Sequence, residues 1–198
     1  MKKIRPIWKE FSAHRIGLAW FIAATLLSVP GQVTHAEEAR FSSTAEIAGK
    51  ALVRQGVGTR KATLFAIRVY DAAFYGMTPA KDLAEVLAMP NPKRFDIRYA
   101  RDFKLDQTRE AWTYQFRESS GMKMEDLKSQ IDLLLSFQKP IKENDVQRFD
   151  LKDGITEFFI NGEKLGEIRG AVFQKALLTV FFGPNPPTKD LQKGLYNQ

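Results

Sequence analysis

Apolar positions recur along this chain with two different periods, and the switches between them divide it into elements. Residues 16–29 run for 14 positions without a charge. Alternation takes over from Arg40: Ala45-Glu46-Ile47 and Lys50-Ala51-Leu52-Val53 flank a turn at Gly49, which predicts a hairpin reaching Gln55. A Gly-flanked turn, Gly56 to Gly58, then delivers Arg60 to a long strand from Ala62 to about Tyr75. Phe65, Ile67 and Val69 alternate there with Leu64, Ala66 and Tyr70. Apolar side chains on both sides of a period-two element predict a strand covered on both faces. Thr78-Pro79 opens a short helix with Leu83, Val86 and Leu87 on one stripe, ended by Pro90 and Pro92.

The next stretch, Arg94 to Phe103, alternates cleanly. Phe95, Ile97 and Tyr99 face one way while Arg94, Asp96 and Arg98 face the other, as in a half-buried strand. Helical spacing follows over Asp106–Phe116, with Leu105, Ala111-Trp112 and Phe116 as its apolar positions. It resumes through Met124, Leu127, Ile131, Leu134 and Leu135, so the two helices form a helical hairpin. Strands return at Val146–Leu151, Ile155–Ile160 and Lys164–Arg169, separated by the turn dipeptides Asp153-Gly154 and Asn161-Gly162. The chain ends on an apolar helix, AVFQKALLTVFF, a Gly-Pro stop and a short helix capped by Thr188. Antiparallel strands around a helical insertion, closed by helices, predict one α+β domain with a single sheet and helices largely on one of its faces.

Composition changes this picture at the N-terminus. Lys2, Lys3, Arg5, Lys9 and Arg15 precede the uncharged run, Pro30-Gly31 breaks it, and Thr34-His35-Ala36 offers small residues to a signal peptidase. That pattern predicts a secretory signal over residues 1–36, a domain over 37–198, and export, in a bacterium to the periplasm. The run falls short of the ~20 apolar residues of a membrane span, so no stable membrane anchor is expected. Cleavage after Ala36 would lower the net charge from +7 to +3, with acids and bases interspersed. Charge then gives no reason to expect a nucleic-acid partner. Both histidines, His14 and His35, lie in the predicted signal, and the chain has no cysteine. The mature chain would lack the ligands of zinc, haem and iron–sulfur sites and the bases of Ser-His and Cys-His catalysis. No metal and no cofactor is expected, and chemistry is left to Arg, Lys, Tyr, carboxylates and hydroxyls.

Among those, Arg60 stands out, because it enters the mouth of a strand that is apolar on both faces. A guanidinium there can clamp a carboxylate or enolate while the strand walls an apolar pocket. The plain alternative is a solvated arginine in a turn. Tyr70, Tyr99 and Tyr114 are candidate phenols for a ligand oxygen, or rings packed in the core. Leu177, Val180 and Phe181 could line the pocket from the closing helix, or simply pack.

The segments QGVGTRK, ATLFAIRVYDAAFYG and FFGPNPPTKDLQKGL, in that order, resemble the exported bacterial branch of the chalcone isomerase-like family. The likeness spans about Phe41 to Leu195. It implies an open-faced β-sandwich, a large antiparallel sheet with helices layered on it, and a ligand cleft between the two. In plant relatives the arginine of this turn polarises a chalcone during ring closure; in the fatty-acid-binding branch it grips a carboxylate. Neither role uses a metal or organic cofactor, and Arg60 matches the position. The isomerases' threonine before Ala-Ile is replaced here by Phe65, and their catalytic tyrosine has only Thr108 near its place. Chalcone isomerisation is therefore not expected.

The resulting expectation is a non-catalytic, exported binding protein for a small apolar acid such as a fatty acid. Arg60 is its clamp, and Phe65, Ile67, Tyr70, Tyr99, Thr108, Phe173 and Leu177 surround the ligand. One rival is a cofactor-independent isomerase or lyase of another substrate, with Tyr70 or Tyr99 as acid. Another is an interaction domain whose cleft is closed. Oligomeric state leaves no trace in the sequence.

Overall fold

The computed structural model describes residues 41–62 and 66–196. The expected signal and its junction with the domain, and also Leu64 and Phe65, lie outside the described residues. Seven strands form one antiparallel sheet in chain order: β1 (Thr44–Ile47), β2 (Lys50–Ala62), β3 (Ile67–Gly76), β4 (Lys93–Tyr99), β5 (Val146–Lys152), β6 (Ile155–Ile160) and β7 (Glu163–Arg169). Every neighbour in the sheet is also the neighbour in sequence. The turns at Gly49, Gly154 and Asn161-Gly162 follow from local chemistry, since all four residues take positive φ, which glycine and asparagine tolerate.

Among the described residues five helices complete the fold: α1 (Leu83–Ala88), α2 (Leu105–Ser119), α3 (Met124–Ser136), α4 (Ala171–Phe182) and α5 (Lys189–Leu195). The α+β expectation holds, with the helices layered on the sheet. The main core lies between them, where Phe74, Phe95, Phe149 and Phe158 of the sheet meet Phe116, Phe173, Phe181 and Phe182 of the helices. α4 is buried nearly all round, as its almost continuous apolar sequence requires.

Gly56 and Gly58 do not form the expected turn. Both lie within β2, in an unbroken strand that continues past Arg60. A Cβ at Gly58 would overlap the carbonyl oxygen of Leu191, one at Gly56 that of Gly194, and one at Gly194 that of Val57. The glycines are there so that α5 can rest directly on the backbone of β2. The expected long strand from Ala62 to Tyr75 is also revised: Ala66, at φ 51°, belongs to the turn between β2 and β3, and β3 begins at Ile67.

The sheet curls at its β1 end, and β1 folds over the face away from the helices. Arg54 Nη1 donates to the Phe41 carbonyl at 2.6 Å, the Tyr75 hydroxyl to the Ser42 carbonyl at 3.1 Å, and Arg94 Nη2 to the Glu46 carbonyl at 3.3 Å. A second, smaller apolar cluster of Phe41, Ile47, Leu52, Val57, Ala73 and Tyr75 fills the curl. The polar side of β4 is accordingly not a solvated face: Asp96 is only 5% exposed.

Candidate functional site

Register builds the site. Arg60 of β2 pairs with Tyr70 of β3, and Tyr70 with Tyr99 of β4. Partners in a ladder share a face, so the three side chains form one row across three strands, on the side that carries the helices. A register shift separates Arg60 from Lys61, leaving Val69 between the Tyr70 and Arg68 pairs. Such a bulge turns the strand end and re-aims the side chain beside it.

The half-buried Arg60 guanidinium carbon lies 5.8 Å from the centre of the Tyr70 ring, and the Tyr70 and Tyr99 rings meet edge-on at 6.0 Å. Opposite this row, α2 presents Thr108, Ala111, Trp112 and Gln115, which share one face at helical spacing. Between row and helix is a cavity of about 40 Å³, closed off by Ile97, Phe103 and Phe181. Among the described residues that line it, Arg60 is the one ionised side chain and none is a carboxylate. The volume admits a few waters at ~10–15 Å³ each.

Burial sets the chemistry of the phenols. It pushes Tyr70 up to about 12, against a downward pull from Arg60. Tyr99 is raised further, by burial and by Tyr70, again against Arg60. The Tyr99 hydroxyl donates to Gln147 Oε1 at 2.9 Å, which also accepts from Trp112 Nε1 at 3.3 Å. Gln147 Nε2 in turn donates to Gln138 Oε1 at 2.9 Å, and Gln138 Nε2 to the Leu134 carbonyl at 3.2 Å. Tyr99 and Trp112 are thus locked from behind by a satisfied buried chain. Two phenols held protonated, one with its proton already donated inward, are poor proton donors at neutral pH.

Of the residues expected at the ligand, Arg60, Tyr70, Tyr99 and Thr108 are brought together at this cavity. The Thr108 hydroxyl donates to the Lys104 carbonyl at 3.1 Å, within its own helix. Ile67, Phe173 and Leu177 are not among the lining residues. Ile67 is half-buried at the end of β3, Phe173 stacks on Phe116 at 5.6 Å, and Leu177 is in the core. Phe181, one turn beyond Leu177, is the α4 residue that reaches the cavity. Tyr114 is also elsewhere, under the Arg117 guanidinium at 5.8 Å. Sequence reading missed Ile97, Phe103, Ala111, Trp112 and Gln115 as lining. The 108-111-112-115 spacing was the available signal, since it repeats one helical face. Among the described residues, no group of three or more His, Cys, Asp or Glu side chains could hold a metal ion.

A curled antiparallel sheet with helices over one face and a ring-lined hollow between the layers defines a class of fold. The chalcone isomerase-like family matches residues 33–196, and the chain belongs to it. Among solved structures it is similar to a fatty-acid binding protein of Arabidopsis thaliana, with a TM-score of 0.62 and 15% identity over 79% of this chain and 91% of that one. At that identity the likeness is one of fold. No curated protein matches the chain.

Proposed function

We propose that the protein is a non-catalytic binding protein for a small apolar acid such as a fatty acid, with Arg60 as the clamp for the anionic head. The carrying observation is the row Arg60–Tyr70–Tyr99 beside a ring-lined hollow whose described lining holds one cation and no carboxylate. A ligand carboxylate could be held by the Arg60 guanidinium, and the rings would receive the first part of the apolar body. The fatty-acid-binding neighbour in fold supports a ligand of this kind. Raised phenol pKa values and the inward-donating Tyr99 support binding over acid catalysis. Since the hollow is only about 40 Å³, a long acyl chain enters only as the α2 face lifts from the sheet. Each methylene then buried returns about 0.8 kcal/mol.

Calorimetry with octanoate, laurate and palmitate tests this reading. Binding should weaken by ~2–5 kcal/mol in Arg60→Ala, the range for stripping one partner from a buried charge pair. Affinity unchanged by the substitution would rule out the clamp. We also place the protein outside the cytoplasm after cleavage near Ala36; N-terminal sequencing of protein recovered from the envelope would contradict this by returning Met1.

A further inference from the structure

The outer face of the sheet carries a second cavity, of about 310 Å³, which the fatty-acid reading does not use. Its floor includes Arg94, Asp96 and Arg98 of β4 and Arg148 of β5. Its walls are the residues leading into β1, with Ser42 and Thr44, and the Asn161-Gly162 turn. Among the described residues, the lining thus holds three arginines and one carboxylate.

Two of the arginines are held in a particular way. Arg94 grips Asp150 through Nε at 2.6 Å and Nη2 at 2.7 Å, and Arg148 grips Asp96 through Nε at 2.9 Å and Nη2 at 3.2 Å. The carboxylates are buried, and they occupy only one edge of each guanidinium. Among the described residues, Nη1 of Arg94 and of Arg148 makes no hydrogen bond, so at the cavity they line Arg148 keeps a whole second donating edge and Arg94, whose Nη2 also reaches the Glu46 carbonyl, keeps Nη1. Arg94 stands opposite Asp150 and Arg148 opposite Asp96, so the two arginines are diagonal neighbours on adjacent strands. That places their backbones ~7–8 Å apart, within reach of two oxyanion groups of one small molecule or of a single phosphate.

The geometry points to a second binding site in this trough, for a small organic anion carrying a phosphate monoester or two carboxylates. Asp96 and Asp150 act as positioning groups that hold the forks flat; the free Nη1 groups take the ligand's oxygens, and the Ser42 and Thr44 hydroxyls line the wall beside it. The site is independent of Arg60, which lies on the opposite face.

Calorimetric titration with inorganic phosphate, glycerol 3-phosphate and succinate tests it. Saturable binding of glycerol 3-phosphate or of succinate is expected, weakened about tenfold or more in the double variant Asp96→Asn/Arg148→Gln. Neutralising both partners strands no buried charge, and a thermal midpoint reports whether the variant folds. Should it not fold, Arg148→Lys keeps the pairing with Asp96 while removing the second edge, and the same loss is expected. Binding of glycerol 3-phosphate alone assigns a phosphate monoester, and binding of succinate alone a dicarboxylate. Inorganic phosphate alone, no saturation by any probe, or equal affinity in the folded variants would overturn the site. Arg60→Gln should leave these affinities unchanged.

Discussion

The two faces of the sheet use the same residue, arginine, in opposite ways. On the outer face each of three buried carboxylates is gripped by an arginine: Asp71 by Arg68, Asp96 by Arg148 and Asp150 by Arg94. Thr59 adds a hydrogen bond to Asp71 at 2.8 Å. On the inner face Arg60 shares its row with two tyrosine rings, and no acid is among the described residues that line its hollow. An outer arginine answers a charge that the fold itself has buried. Arg60 brings a charge to a hollow lined mainly by rings and uncharged side chains. Burial has a cost on both faces: it pushes Asp96 above the ordinary carboxylate range although Arg148 and Arg94 pull it down, and it lifts Tyr70 and Tyr99.

The sharpest way to break this contrast is Arg94→Ala. The Asp150 side chain is 6% exposed, and losing its partner leaves a buried charge unanswered. A destabilisation of ~3–5 kcal/mol in urea unfolding is expected. Replacing both members, with Arg94→Met and Asp150→Leu, should recover much of that loss, because an apolar pair needs no compensation. If the single variant loses under ~1 kcal/mol, the outer ladder is a surface decoration and the comparison fails.

Much of this architecture was legible in the sequence, for local reasons. Asp153-Gly154 and Asn161-Gly162 announce their hairpins because the turns need positive φ, and Thr188 announces α5 because its hydroxyl accepts from Leu191 N at 3.2 Å. What escaped depended on distant partners. Gly56 and Gly58 read as a turn because nothing near them reveals that Leu191 and Gly194 will lie on their backbone. Arg60 was legible as a candidate, but its alignment with Tyr70 and Tyr99 is set by register and by the bulge after it. Helical period places Phe173, Leu177 and Phe181 on related positions of α4; only packing decides that Phe181 reaches the hollow. Asp96 looked solvated because alternation cannot foresee a sheet that curls β1 over its polar side.

The inner face can be probed through its phenols. The folded-state pKa of Tyr70 is raised to about 12 from 10.0, chiefly by burial, so its proton stabilises the fold fully below pH 10. That contribution is lost as pH rises from 10 to 12, because the unfolded chain releases the proton first. The loss attributable to Tyr70 should be about 2–3 kcal/mol, seen as a fall in the urea midpoint between pH 9 and the upper end of that window. Tyr70→Phe should make the fall shallower by about that amount, the remainder belonging to the other buried phenols, Tyr99 and Tyr75; an equally steep fall in that variant would place the whole effect on those two. A smaller effect is expected behind the row. Gln147→Leu removes the acceptor of both Tyr99 and Trp112 and should destabilise by ~1–3 kcal/mol, the range for orphaning a buried polar group. Retained stability together with weakened laurate binding would instead give Gln147 a role in orienting the rings for ligand.

The smallest effect expected separates burial from pairing as the source of the outer ladder's strength. Lys139 and Glu163 form an ion pair at 3.0 Å, comparable in length to Arg148–Asp96 at 2.9 Å, yet their side chains are 48% and 67% exposed against 32% and 6%. In water both partners stay solvated when the pair is broken, so Lys139→Ala should leave the urea midpoint essentially where it was. Raising the salt concentration should loosen the exposed pair and leave the buried ones in place. A Lys139 variant as damaged as Arg94→Ala would mean that charge pairing, wherever it sits, holds this sheet together. A silent one leaves the desolvated carboxylates as the reason the outer face needs its arginines, and sets Arg60 apart as the arginine whose row holds no such acid.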